Sequence, residues 1–319
     1  MSTRMAVGRA LINRVPVAIN QDLKALLPSL EIDLLYLTFC LFTMEKRLAA
    51  EATGATVKGI NVSDLEEIEI PLPTLPEQHR IAAQLEQADR LRRTRRYTLE
   101  LSDSFLPATF LRMLANGADL RRFSVEELLA STPNAMRTGP FGSQLLHAVF
   151  TDSGIAVLGI DNAVNNAFEW SQRRYISSKK YEQLRRYTVK SGDVIITLMG
   201  TCGRCAIVPD DIPTAINTKH LCCITLDKTR CLPAYLHAAF LYHPEVQHQL
   251  GISQKGAIMD GLNMEIIKNL RIPLPAIEQQ RHFATLVAQH ERLRATQRES
   301  LRQAEHLFQP LLHRAFSPD

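Results

Sequence analysis

The residues best equipped for chemistry lie between positions 139 and 223. Cys202 and Cys205 stand in a Cys-x-x-Cys pattern, with His220, Cys222 and Cys223 downstream. That pattern supplies half of a tetrahedral zinc site, but the remaining donors are adjacent rather than spaced, which suits such a site poorly. A thiol nucleophile served by His220 and Asp210 or Asp211 is a second chemistry, with no flanking sequence in its support. The phosphate loop G-x-x-x-x-G-K-[ST] is missing, as are an Asn-Pro-Pro-aromatic methyltransferase word and the acidic-acidic-Lys spacing of a nuclease. The expectation is a chain with no catalytic motif, metal site or cofactor of its own.

A second group of residues suits binding. Gly139, Gly142, Gly200 and Gly203 permit tight or left-handed turns, which either present main-chain N–H groups to phosphate or simply support a sheet. Beside them Phe141, Ser143, Gln144, Thr201, Arg204, Asn217 and Lys219 offer groups able to meet phosphates or base edges. Arg204 has a plainer reading, as an arginine at a strand start paired with a carboxylate. Arg173, Arg174, Lys179, Lys180, Arg185 and Arg186 interleave with Trp170, Tyr175, Tyr181 and Tyr187. Charge alone would suit a solvated helix face; the aromatics favour a nucleic-acid backbone patch.

These groups need a scaffold, and the chain is long enough to build one. Its 319 residues are 45% hydrophobic and 22% charged, which points to two compact units and excludes disorder as the main state. A net charge of +4 does not by itself announce nucleic acid. Six unevenly spaced cysteines read as reduced thiols. Residues 1–14 hold no apolar run of secretory length, and the apolar stretch 32–44, interrupted by Asp33, suits a buried helix rather than a membrane span. The expected location is cytoplasmic, with no membrane contact.

The chain also repeats itself. The segment opening at Gly54 returns at Gly256 under a shift of 202 residues, and about eighteen of sixty-two aligned positions are identical. Ile70-Pro71-Leu72-Pro73 falls on Ile272-Pro273-Leu274-Pro275, and Arg90-Leu91-Arg92 on Arg292-Leu293-Arg294. Upstream, Gly8-Arg9-Ala10 and Ile19-Asn20 echo Gly203-Arg204-Cys205 and Ile216-Asn217. No counterpart of residues 123–199 precedes Met1. The expected organisation is a domain remnant over 1–75, a connector over 76–118, a complete domain over 119–272 and a second connector over 273–319.

Pro-Leu-Pro forces extended backbone, so each connector helix starts after it. Apolar residues at 3–4 spacing, from Ile81 to Phe105 and from Phe283 to Leu307, predict two helices of about thirty residues. Antiparallel pairing with facing numbers summing to about 392 sets Leu85 against Leu307, Leu91 against Leu301, Leu99 against Leu293 and Phe105 against Val287. It also sets Glu100 against Arg292 and Glu299 against Arg93. At about 1.5 Å per residue, such a rod runs roughly 45 Å. Between the connectors the chain reads as mixed α/β, with strands in 154–160 and 192–199 and a helix over 232–250 broken at Pro244. Residues 15–48 are expected to hold a strand and a helix that expose Leu34, Leu35, Leu37 and Phe39.

The order of Thr138-Gly139-Pro140-Phe141-Gly142-Ser143, Ser191-Gly192-Asp193-Val194-Ile195-Ile196, Gly200-Thr201 with Gly203-Arg204, Ile216-Asn217, Gly261-Leu262-Asn263 and Ile272-Pro273-Leu274-Pro275 with Glu278-Gln279 resembles a type I restriction-modification specificity subunit. The resemblance covers nearly the whole chain. It implies target-recognition domains of mixed α/β fold with a small β-sheet and helices, each reading half of a split double-stranded DNA site, and two long antiparallel coiled-coil spacer helices. It further implies docking to methyltransferase (modification) subunits and, through them, to a restriction or translocase subunit. The sequence departs from the family in lacking the front half of the first recognition domain. A dimer through the spacer helices, or a separate completing chain, is therefore expected. The other readings are a free-standing dimeric DNA-binding or adaptor protein and a zinc or thiol enzyme.

Overall fold

Three helices organise the first part of the chain. In the computed structural model, which describes residues 1–53, 58–115, 120–170, 172–251 and 262–316, contacts divide the chain into a unit of Met1–Ser102 with Leu293–Asp319 and a unit of Asp103–Arg292. In the first unit, α1 (Leu34–Glu51) starts at Asp33, whose carboxylate accepts the Tyr36 N–H at 2.8 Å and so satisfies an orphan donor of the first turn. The short α2 (Val62–Glu66) and the long α3 (Leu75–Ser102) follow. Phe39 of α1 and Leu85 and Ala88 of α3 pack with Phe308 and Leu312 of the chain's last helix. Val7, Leu48, Ala52 and Ile60 form a second small core.

The second unit holds α4 (Phe105–Ala115), β1 (Arg122–Ser124), β2 (Met136–Thr138), β3 (Phe150–Thr151), β4 (Ile155–Leu158), β5 (Tyr175–Ile176), α5 (Ser178–Leu184), β6 (Val194–Thr197), β7 (Cys205–Ile207), β8 (Ala215–Asn217) and β9 (Leu221–Ile224). There follow α6 (Pro233–Tyr242), α7 (Pro244–Gln249), α8 (Met264–Asn269), β10 (Arg271–Pro273) and α9 (Ile277–Phe316), whose residues from Leu293 onward belong to the first unit. Pro244 interrupts the apolar stretch 232–250 as expected, because it cannot donate to the preceding turn. One antiparallel sheet runs β2-β9-β6-β7 and a second runs β3-β5-β4-β8, in which β4 and β8 are parallel. β1 pairs with β10, Phe123 facing Ile272. β6 and β9 are buried throughout. Val194, Ile196, Cys222 and Ile224 enter one core and Ile195 and Cys223 the other, the alternation of a strand between two layers.

A buried ion pair ties β2 to the turn before β6. Arg137 donates to Asp193 at 2.6 Å, to Thr225 Oγ1 at 3.0 Å and to the Thr188 carbonyl at 2.6 Å. Asp193 also accepts from Thr225 and from the Lys190 N–H. This gives the Ser191-Gly192-Asp193 word a structural meaning.

The repeat is retained in three dimensions. Thr197 N–H bonds the Arg204 carbonyl at 2.8 Å and Gly203 N–H bonds the Thr197 carbonyl at 2.9 Å; Ser2 to Arg9 and Gly8 to Ser2 do the same at 2.8 and 3.0 Å. Gly8 and Gly203 both have positive φ, as do Met5 and Gly200 at the matching loop position. Gly54, Gly256 and Gly261 of the repeated words lie outside the described residues, as do boundary positions 118 and 119.

Several expectations require correction. The connector helices run antiparallel, but their register is shifted by about one helical turn. Leu85 packs with Phe308 and Leu312, while Leu307 is 49% exposed. Arg96 pairs with Glu305 at 2.9 Å and Arg294 donates to Ser102 at 2.8 Å. Arg93 pairs with Asp89 and Glu299 with Arg302 instead of with each other. Phe105 stacks on His290 rather than facing Val287. Phe308 and Leu312, one and five positions on from Leu307, close the core with Phe39, Leu85 and Ala88, and the apolar burial there sets the register. The first connector is also interrupted at Asp103 and Ser104, where α3 ends before α4 begins.

Residues 15–20 form no strand, and of the four side chains expected to be bare only Leu34 is exposed, while Leu35 is half-buried. Leu37 and Phe39 are buried, whereas Leu11, Leu27 and Leu30 are each about nine-tenths exposed. Ile216, matched to Ile19 by the repeat, is by contrast fully buried between β4 and the turn at Thr188. Ile19 lacks those neighbours. Among the described residues no helix is long and apolar enough to cross a membrane.

Candidate nucleic-acid interface

Strand direction in the second unit gathers four loops at one end. β2, β4, β6 and β8 end there, and β5, β7 and β9 begin there. The turn 218–220 between β8 and β9 is the hub. Thr218 N–H bonds the Leu158 carbonyl at 2.9 Å, Gly139 N–H bonds the Thr218 carbonyl at 3.2 Å, and Leu198 N–H bonds the His220 carbonyl at 2.8 Å. The loops that open at Gly139, Gly159 and Met199 are thereby fixed to one short turn.

Glycine is required at the tightest of these contacts. A Cβ on Gly139 would collide with the backbone of Asn217 and Thr218. Gly142, Gly200 and Gly203 adopt φ of +59, +73 and +77°, conformations that side-chain-bearing residues rarely take. The Thr197 hydroxyl bonds the Thr201 carbonyl and accepts the Arg204 N–H at 3.0 Å, so the loop after β6 is closed on itself.

The residues singled out from the sequence fall into distinct places. Gly139, Phe141, Gly142, Ser143 and Gln144 form the loop after β2, with all but Gly139 exposed. Gln144 accepts from the Tyr187 hydroxyl at 3.2 Å, and the Arg186 guanidinium lies over the Tyr187 ring. Thr201 and Arg204 are exposed in the loop after β6, and Gly203 between them is buried. Among the described residues no carboxylate pairs with Arg204, so its plainer reading as a strand-start ion pair finds no partner. Lys219 is exposed in the hub turn. Arg173 and Arg174 stand just before β5, at the loop end. Arg173 rests on Trp170 at 5.4 Å, a cation–π contact that holds its charge at the surface. Arg174 pairs with Asp161.

Lys179 and Lys180 follow β5, on the first turn of α5, so the short strand separates them from Arg173 and Arg174. Asn217 is buried; its amide donates to the Leu221 carbonyl at 3.0 Å and shapes the hub turn from within.

Three contributors escaped the sequence reading. Asp161 orients Arg174, and nothing in the sequence pairs them. His220, which the sequence offers as a metal donor or as the base for a thiol, sits in the hub turn; burial first, then Lys219 and Arg174, push its pKa below the ordinary imidazole value. His237 lies 3.1 Å from the carbonyls of Asn166 and Cys205, and burial lowers its pKa too, so it serves as a neutral donor between the loop after β4 and the start of β7.

The cysteines serve the core. All six are buried, and Cys202 Sγ donates to the Leu198 carbonyl. Burial pushes Cys222 and Cys231 up to about 12 and Cys205 higher still, so these sulfurs remain thiols. Among the described residues no three His, Cys, Asp or Glu side chains converge as a metal site would require.

Comparison with known proteins gives a consistent picture. A family model described as the type I restriction modification DNA specificity domain matches residues 1–101 and 152–305. The chain is similar to the type I restriction enzyme EcoBI specificity subunit of Escherichia coli, 26% identical over 294 residues, covering 84% of this chain and 61% of the relative. It is also similar to the type I restriction enzyme MjaVIII specificity subunit of Methanocaldococcus jannaschii, 21% identical over 285 residues, covering 86% of this chain and 67% of that protein. The chain thus spans about two thirds of the length of these relatives or slightly less. In fold it resembles the crystal structure of the type I restriction-modification S subunit from M. genitalium, with a TM-score of 0.57 at 17% identity over 91% of this chain and 74% of that one.

Proposed function

Because the chain belongs to the type I restriction modification DNA specificity domain family, we propose that its second unit binds double-stranded DNA in a sequence-dependent manner at the loop end of its two sheets. The observation that carries this reading is the hub turn, which brings Lys219, the glycine loops bearing Gln144 and Arg204, and the Arg173–Arg174 pair to one surface. Lys219, Arg204 and Arg173 supply charge to phosphates, while Gln144 is suited to base edges. The chain itself performs no methylation or cleavage; those steps fall to methyltransferase subunits and, through them, to a restriction subunit, in the cytoplasm. α3 and the end of α9 line a groove of about 1180 Å³ with Leu91, Leu307 and Leu311 among Arg80, Arg90, Arg95 and Arg314, a surface suited to an acidic amphipathic segment of such a subunit. The bare side chains of Leu11, Val15, Val17 and Leu27 suit cover by a second polypeptide, either another copy of this chain or a separate chain.

Selection from a randomised duplex pool tests the reading. Recovery of a defined sequence, with changes at Gln144 altering the preference by about 1–3 kcal/mol, supports it. Recovery of unenriched sequence by a protein that binds well would favour the free-standing adaptor reading.

A further inference from the structure

Two exposed apolar side chains flank the hub turn. Phe141 is 60% exposed and Met199 is 55% exposed, beside Gly142, Ser143 and Gln144 in one loop and Gly200, Thr201 and Arg204 in the other; Leu146, at the far end of the first loop, is exposed as well. Leaving them in water forgoes the burial such side chains normally gain. Neither is there through local looseness. Pro140 fixes the backbone before Phe141, Gly139 is pinned to Thr218, and the Phe141 carbonyl accepts the Gln144 N–H at 3.3 Å, closing a tight turn. Among the described residues Phe141 has no partner ring. Met199 follows Leu198, itself pinned to His220.

The pairing register fixes the spacing. Thr138 and Ile196 face Cys222 from opposite sides, so the two loops leave strands about 9.5 Å apart, two interstrand spacings, with Lys219 on the turn between them. A cation flanked by rigid apolar prongs matches a duplex whose phosphate is held while a base step beside it is opened.

We propose that Phe141 enters the base stack of the bound duplex, with Met199 as a second prong beyond Lys219, so that the protein kinks its DNA. Apolar wedges of this kind partly unstack a step and bend the helix away from it. The proposal rests on the DNA-binding reading above and adds to it how the DNA is deformed.

The test uses the full chain and duplexes recovered by selection, with 2-aminopurine replacing each adenine in turn and dyes at both ends for energy transfer. Wild type should raise the fluorescence at one or two steps and shorten the end-to-end distance. Phe141→Ala should remove the rise at one step and weaken binding about tenfold to hundredfold. It should leave the salt slope unchanged, because no phosphate contact is lost. Phe141→Trp should retain the signal, and an unchanged melting temperature in both variants would show that the fold is intact. Normal binding by wild type with no 2-aminopurine response, or a Phe141→Ala response equal to wild type, overturns the wedge while leaving DNA binding standing. Failure of wild type to bind any duplex overturns both.

Discussion

Gln78 and Gln280, 202 residues apart and both fully buried, hold equivalent bonds in the two units. Gln78 Nε2 donates to the carbonyls of Pro73 and Glu31 at 2.8 and 3.0 Å, and its Oε1 accepts the Asp33 N–H at 2.8 Å. Gln280 Nε2 donates to Pro275 and Arg230, both at 3.0 Å, and accepts from Leu232 at 2.9 Å. Tyr36 and Tyr235 complete each set by donating to the Pro71 and Pro273 carbonyls. Each glutamine thus fastens a Pro-Leu-Pro strap to the start of the preceding apolar helix. Gln280→Leu should leave buried backbone groups unpaired and cost about 1–3 kcal/mol, read as a lowered urea midpoint. An unchanged midpoint would mean that water replaces the amide.

The Arg137–Asp193 pair should behave asymmetrically. Arg137→Met alone, or Asp193→Leu alone, strands a buried charge and should cost about 3–5 kcal/mol, whereas the double substitution should recover most of it. Chemical denaturation of the three variants measures this. A double mutant as unstable as the sum of the singles would show that the hydrogen bonds to Thr188, Thr225 and Lys190 matter more than the charges.

DNA affinity should rise as pH falls from 7.5 toward 5.5. Burial, Lys219 and Arg174 depress His220 in the free protein, so it is neutral at pH 7. A phosphate beside it favours the protonated form, so binding takes up a proton and strengthens as pH drops through the bound-state pKa. His220→Gln should flatten that dependence, as titrations at fixed salt would show.

The helix register is checkable by cross-linking. Cysteines at Arg96 and Glu305, whose native side chains meet at 2.9 Å, should be bridged by a short bifunctional thiol reagent of about the combined reach of those two side chains. Cysteines at Leu85 and Leu307 should not. The reverse outcome would restore the register read from the apolar stripe.

Much of the fold was legible because its signals are local. The Pro-Leu-Pro straps, the break at Pro244 and the apolar runs 155–158 and 194–197 each follow from backbone sterics or periodicity. The helix register was not, because Leu307 and Phe308 are neighbours of similar hydrophobicity and only packing against Leu85 and Ala88 chooses between them. The glycine loops were recognised as turns, but their convergence depends on strands β2, β4, β6 and β8 ending together, which no spacing reveals. Arg137 escaped notice for the same reason, since its partner lies 56 residues away. The strand expected within residues 15–48 failed because a strand needs neighbours; the matched Ile216 has them and Ile19 does not.

If the loop end of the second unit meets DNA phosphates, the salt dependence of binding must show it. The slope of log K against log salt should be steeply negative for wild type, and Lys219→Ala and Arg204→Ala should each reduce its magnitude by about 0.9, one phosphate contact apiece. Slopes identical to wild type in both variants would place the DNA elsewhere on the protein.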